Sequence, residues 1–123
     1  MKKKVLAILK EARSLLETMG WCQGRSAVDK YGDYCTPYRR DGMARHPNAV
    51  AFCAQGALSA VVGWRDFVGF AAKDALCKAL PRDREDLPPS WWRVEEFNDA
   101  DTTTKEDVLA LYDRAIARVE AQS

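Results

Sequence analysis

Three short segments carry most of the side chains able to do chemistry: Gly20-Trp21-Cys22-Gln23-Gly24, Phe52-Cys53-Ala54-Gln55-Gly56-Ala57-Leu58 and Phe97-Asn98-Asp99. With His46, the single histidine, they supply a cysteine, a base and an orienting amide or carboxylate. That is the inventory of a thiol-dependent hydrolase or transferase, in which Cys53 attacks, His46 takes its proton and Asn98 or Asp99 orients the imidazole. Such a nucleophile needs a lowered pKa, whereas the residues around Cys53 are apolar and apolar burial raises a thiol pKa. Cys53 is therefore read as a small core residue. No catalytic residue is assigned, and thiol catalysis stands as the alternative to a noncatalytic binding or interaction module.

Trp21, Gln23, Gln55, Asn98 and Asp99 are the candidate binding residues, because a polar rim and an aromatic wall suit a recess for a small ligand or peptide. The competing structural reading has Trp21 anchoring the core edge, Gln23 bonding loop carbonyls and Asn98-Asp99 making an Asx turn between two helices. Trp91 and Trp92 cannot both face inward, since adjacent helical residues point about 100 degrees apart. With Arg93 they form a candidate partner surface. Lys2, Lys3, Lys4, Arg39, Arg40 and Arg45 with Tyr31, Tyr34 and Tyr38 are suitable in type for stacking on single-stranded bases. No recognised nucleic-acid motif accompanies them, so nucleic acid is not an expected partner. No phosphate-cradling glycine motif is present and no cofactor is expected. Twelve, seventeen and twenty-three residues separate Cys22, Cys35, Cys53 and Cys77, unlike the close pairs of zinc sites. A Cys22, Cys35, His46, Cys53 site is geometrically conceivable, but the expectation is no metal.

The elements that position these residues follow from length and periodicity. The 123 residues fit one domain, 1–123, and 47% hydrophobic with 30% charged side chains is the composition of a folded domain. The net charge of +1 excludes a global attraction to nucleic acid or anionic membrane. The ends nevertheless differ: residues 1–45 carry a net +5 and residues 81–123 a net −5. Terminal helices packed side by side would use this as mutual complementarity; docking on a charged partner is the less favoured reading. Charges at Lys10, Glu11, Arg13 and Glu17 interrupt the first apolar stretch, and no eighteen-residue apolar run exists, so a cytoplasmic protein with reduced thiols is expected.

Val5, Ile8, Leu9, Ala12, Leu15, Leu16 and Met19 share one helical face, which predicts a helix over 3–19 stopped by a left-handed Gly20. Residues 21–48 are irregular, and the Lys30-Tyr31-Gly32 turn between RSAVD and DYCTP admits a short β-hairpin. A buried helix is expected from an Asn48 cap to Gly63, and a third from Asp66 to Pro81 with Phe67, Phe70, Ala71, Ala75, Leu76 and Leu80 inward. After the charged linker PRDREDLPP, Ser90 caps a short helical segment carrying Trp91, Val94 and Phe97. Thr103 and Glu106 form a capping box ahead of the last helix. The expected fold is mainly α, a compact orthogonal or bundle-like packing of four long helices plus a short helical segment, with a small β-hairpin after helix one. Its core should include Leu9, Leu16, Cys53, Ala57, Leu58, Val61, Leu76, Val108, Leu111 and Ile116.

The three motifs also resemble those of a family of small bacterial and bacteriophage proteins known as a domain of unknown function. Its pattern reads GW-x-Q-G, then C-x-x-G-A-L, then W-N-D. Trp21, Gln23, Gly24, Cys53, Gly56, Ala57, Leu58, Asn98 and Asp99 match it, and Phe97 departs from its tryptophan. Phenylalanine keeps an aromatic anchor at 97 but has no indole N–H to donate. The resemblance spans almost the whole chain and implies the fold and a cytoplasmic life in bacteria or their phages, but no reaction; the binding-module reading then expects an accessory factor of a phage or mobile element.

Overall fold

The computed structural model describes residues 1–39, 45–63, 67–81 and 91–122, with the backbone alone at 67, 91 and 92. Among them five helices follow the apolar periodicities: α1 (Lys2–Thr18), α2 (Ala54–Val62), α3 (Phe67–Lys78), α4 (Trp91–Asp99) and α5 (Lys105–Glu120). Two short strands, β1 (Ala27–Val28) and β2 (Ala51–Phe52), pair antiparallel with Ala27 opposite Phe52 and Val28 opposite Ala51. The fold is mainly α, as expected.

The terminal helices pack side by side. Lys2 Nζ donates to Glu120 O at 3.0 Å and Gln122 O at 2.6 Å, Arg13 Nε to Asp113 Oδ1 at 2.7 Å, and Lys105 Nζ to Glu17 O at 3.3 Å. Residue numbers rise along α1 as they fall along α5, so the two are antiparallel. Val5, Leu9, Ala12 and Leu16 of α1 meet Val108, Leu111, Tyr112, Ala115 and Val119 of α5 in one core. The alanine-rich α2 is buried, with Ala54, Gly56, Ala57, Leu58 and Ala60 all inside, and Leu76 of α3 completes its surroundings. Val61 and Ile116 are half-buried against this core.

Several boundaries depart from the periodicity. Residues 50–53 are extended and Asn48 lies in a turn, in place of the first turns of α2, because the run from Val50 finds backbone partners on both sides. Val50 N bonds Val28 O at 2.9 Å and Cys53 N bonds Ser26 O at 3.0 Å, while Phe52 bonds Gly20 O and Cys22 N on the other flank. Asn48 therefore caps nothing, Val50 is exposed, and Cys53 is the N-cap. Gly20 does not adopt the left-handed conformation; α1 ends at Met19 in helical geometry. A Cβ on Gly20 would lie 3.2 Å from Ala51 Cβ and from Val50 O, so the close passage of residues 50–51 favours a glycine here. The turn at Lys30-Tyr31-Gly32 forms with Gly32 at φ 81°, and Asp29 Oδ1 accepts Tyr31 N and Asp33 N. Its arms meet at the Val28–Tyr34 bridge, while the regular partner of β1 is β2.

The capping box of α5 is Thr104 with Asp107, one residue later than Thr103 with Glu106, and Thr103 Oγ1 instead donates to Phe97 O at 2.7 Å. Phe70, expected inward, is 44% exposed. The expected caps at Asp66 and Ser90, the linker after Pro81 and the facing of Trp91 and Trp92 lie outside the described residues. No described helix is long and apolar enough to cross a membrane.

Candidate functional site

Helix α4 ends at Asn98-Asp99, beside the start of α2 and the turn leaving α1. Asn98 is fully buried. Its Oδ1 accepts Trp21 Nε1–H at 2.7 Å and Ala54 N–H at 2.9 Å, and its Nδ2 donates to Cys22 O at 3.1 Å and Asp99 Oδ1 at 2.9 Å. An asparagine amide offers two acceptor sites and two donors, and all four are used. The reverse orientation would set amide N–H groups against the N–H groups of Trp21 and Ala54.

The neighbouring residues extend this network. Gln23 Nε2 donates to Asn98 O and Ala100 O, both at 3.0 Å, and Asp99 Oδ1 accepts Gly24 N–H at 2.8 Å. Ala54 N–H is one of the donors that a helix start leaves unpaired, and Asn98 satisfies it. Tyr112, fully buried, donates its hydroxyl proton to Ala54 O at 2.6 Å. Residues from α4 and α5 thereby grip the first residue of α2. The structure thus brings Trp21, Gln23, Asn98 and Asp99 together and commits Trp21 Nε1, Gln23 Nε2 and the whole Asn98 amide to one another, to Asp99 and to backbone. Gln55 does not join them; its Oε1 is buried without a hydrogen-bond partner. Arg93 is half-buried and already engaged.

An open recess of about 470 Å³ lies next to this network, lined by Gly24, Arg25, Ser26, Tyr34, Cys53, Glu95 and Asp99. Sequence reasoning passed over Arg25, Ser26 and Glu95. The available signal was the helical i, i+4 spacing of Glu95 and Asp99, which puts both carboxylates on one face of α4. Cys53 is 6% exposed, and its Sγ accepts Gly56 N–H at 3.2 Å. Burial pushes its pKa up, opposed by the N–H groups of Gly56 and Gln55 and reinforced by the charges of Asp99 and Glu95. The Cys22 thiol is pushed up to about 12 by burial, then by Cys53 and Asp99.

His46 serves a different cysteine. Cys35 Sγ lies 3.3 Å from His46 Nδ1, which also accepts Asn48 N–H at 3.1 Å. Since the chain has one histidine, its pairing with Cys35 argues against the Cys53–His46 scheme. No group of three or more metal-ligating side chains forms among the described residues, so Cys22, Cys35, His46 and Cys53 do not assemble into one centre.

Cys22 and Cys53 are both held protonated at neutral pH, so alkylation of either in the folded protein should be slow. The rate at Cys22 should climb about tenfold per pH unit until near its pKa; rapid labelling of Cys53 near pH 7 would restore thiol catalysis. Stability has a matching pH dependence. Above about pH 9 the unfolded chain releases protons from Cys22 and Cys53 that the native state keeps, and Tyr112, also raised by burial, follows from about pH 10. The unfolded state then binds fewer protons, so stability should fall as pH rises from about 9 towards 12. Urea midpoints measured across that range check the sign.

No curated protein and no solved structure matches the chain. Residues 1–118 match a family described as a family of unknown function (DUF6197). With nearly the whole length matched, the chain belongs to that family.

Proposed function

We propose that this protein is a noncatalytic binding module whose recess takes a small molecule carrying both a cationic and an anionic group. The observation that carries this reading is charge of both signs on the recess walls. Among the described residues, the side chains of Arg25 and Glu95 form no hydrogen bond or salt bridge, although Glu95 lies in the field of the Lys73 ammonium. Glu95 precedes Asp99 by one turn of α4, so two carboxylates on one helix face are set towards a ligand cation. Arg25 offers a forked donor set to a carboxylate or phosphate. Tyr34, 54% exposed, supplies an aromatic wall and Cys53 the floor. The bonded network of Trp21, Gln23 and Asn98 holds the loop before Arg25 in place, so the site is built before the ligand arrives. A place in the cytoplasm of bacteria or phage-infected cells is part of this proposal and rests on the motif resemblance and the charged face of α1.

A thermal-shift screen of free amino acids, polyamines and small carboxylates tests the reading, followed by titration calorimetry of whatever stabilises the fold. The expected result is a zwitterionic ligand whose affinity drops at least tenfold in Glu95→Gln and in Arg25→Gln. Binding unaffected by both substitutions, or no stabilisation by any zwitterion, rejects it.

A further inference from the structure

Cys22 and Cys53 come from separate segments, yet the hydrogen bonds around Phe52 set them side by side. Phe52 donates its N–H to Gly20 O at 3.1 Å and accepts Cys22 N–H at 3.1 Å, the two bonds of a parallel bridge between Trp21 and Phe52. Cys22 and Cys53 each stand one residue beyond that bridge, and Cys53 is still extended, at φ −77° and ψ 174°. Neighbouring strands run about 4.8 Å apart and successive side chains alternate in direction, so residues one step past a parallel bridge share a face. That spacing falls within the roughly 4.4–6.8 Å between Cα atoms that a disulfide spans. Phe52 is fully buried and Trp21 packs on the core, while Cys53, though buried, lines the recess and Cys22 is half-buried with its thiol donating to Arg25 O at 3.4 Å. The thiols also feel one another, since charge on Cys53 helps keep Cys22 protonated.

We propose that Cys22 and Cys53 are a redox pair that closes to an intramolecular disulfide, with a low-molecular-weight disulfide as oxidant. Cys22, the more exposed, gives up its proton and attacks one sulfur of the small disulfide. A mixed disulfide forms on Cys22 as the small S–S bond breaks, and the departing thiolate takes a proton. Cys53 then gives up its proton and attacks Cys22 Sγ, expelling the second small thiolate, which is protonated in turn. Two cysteine thiols lose two electrons and the small disulfide becomes two thiols. Closure ties the turn after α1 to the N-cap of α2 and alters the floor of the recess. With both thiols protonated at neutral pH, closure there is slow, so the pair registers sustained rather than brief oxidation.

The test is incubation of the folded protein with excess oxidised glutathione at pH 9, then thiol blocking, intact mass and peptide mapping. The wild-type chain should lose the mass of two hydrogens, retain two of its four thiols and yield one linked peptide pair joining Cys22 to Cys53. A Cys35→Ser, Cys77→Ser double variant should close at the same rate. Cys53→Ser, which keeps a good N-cap residue, should instead hold a stable glutathione adduct on Cys22. A persistent adduct on wild-type Cys22, a disulfide joining any other pair, or four free thiols while the unfolded chain oxidises in parallel would each overturn the proposal.

Discussion

Replacing Asn98 with alanine is expected to cost about 2–4 kcal/mol of folding stability, a large share of what a domain of this size possesses. The substitution removes both acceptor bonds to Trp21 Nε1 and Ala54 N and both donor bonds to Cys22 O and Asp99 Oδ1. Trp21 and Cys22 are only partly buried and can regain water, but Ala54 N–H is buried at the start of α2 and cannot. An unmet buried donor costs about 1–3 kcal/mol by itself, and the vacated volume adds to it. Asn98→Asp should also destabilise, because it loses the donors and sets a carboxylate beside Asp99. Part of that loss should return at low pH, where protonation restores one donor. Urea denaturation of the variants settles the matter: a change below about 0.5 kcal/mol for Asn98→Ala would mean that the network does not support the fold.

Gly56→Ala should be at least as damaging, with an expected loss of about 3 kcal/mol or more, or failure to fold. A Cβ at this position would run into Ser26 O and lie 2.8 Å from Ser26 C. The obstacle is backbone and cannot rotate aside, and the same carbonyl accepts Cys53 N–H at 3.0 Å. Shifting Ser26 would therefore loosen both β1 and the N-cap of α2. Gly20→Ala, which meets Ala51 Cβ and Val50 O at 3.2 Å, should be milder because a small adjustment relieves it. Circular dichroism melts of the two variants give the ranking, and a Gly56→Ala protein as stable as wild type would contradict the close approach of α2 to β1.

The two substitutions act on one piece of construction. The first turn of α2 lies on β1 through Gly56, takes its missing acceptor from Asn98 of α4 and is held by Tyr112 of α5. The recess opens directly beside this junction, so the charges of Arg25 and Glu95 are displayed by a rigid frame. Trp21 and Asn98, with their bonds satisfied, belong to the frame, and Arg25 and Glu95 belong to the proposed site. That division also separates two classes of outcome: variants of Asn98 or Gly56 should lower stability, and variants of Glu95 or Arg25 should lower affinity with the midpoint of unfolding nearly unchanged.

The residues alone carried the mainly helical class, the amphipathic faces of α1 and α5, the burial of α2 and the choice of Trp21, Gln23, Gln55, Asn98 and Asp99 as candidates, of which Gln55 stands apart from the network. Those properties are local or periodic: a spacing of three and four selects the apolar face, and an alanine-rich run without charges has no solvated side. Only the tertiary structure decided that residues 50–53 are extended, because a short apolar run reads equally as helix or strand until its hydrogen-bond partners arrive. Those partners, Val28 and Ser26 on one side and Gly20 and Cys22 on the other, are more than twenty residues away in sequence. The same long-range pairing moved Cys53 from inside a helix to its cap, assigned His46 to Cys35, and set Arg25, Tyr34, Glu95 and Asp99 around one recess. Sequence periodicity reports which side of an element is buried, but not which element buries it, and the recess is made of contacts between elements.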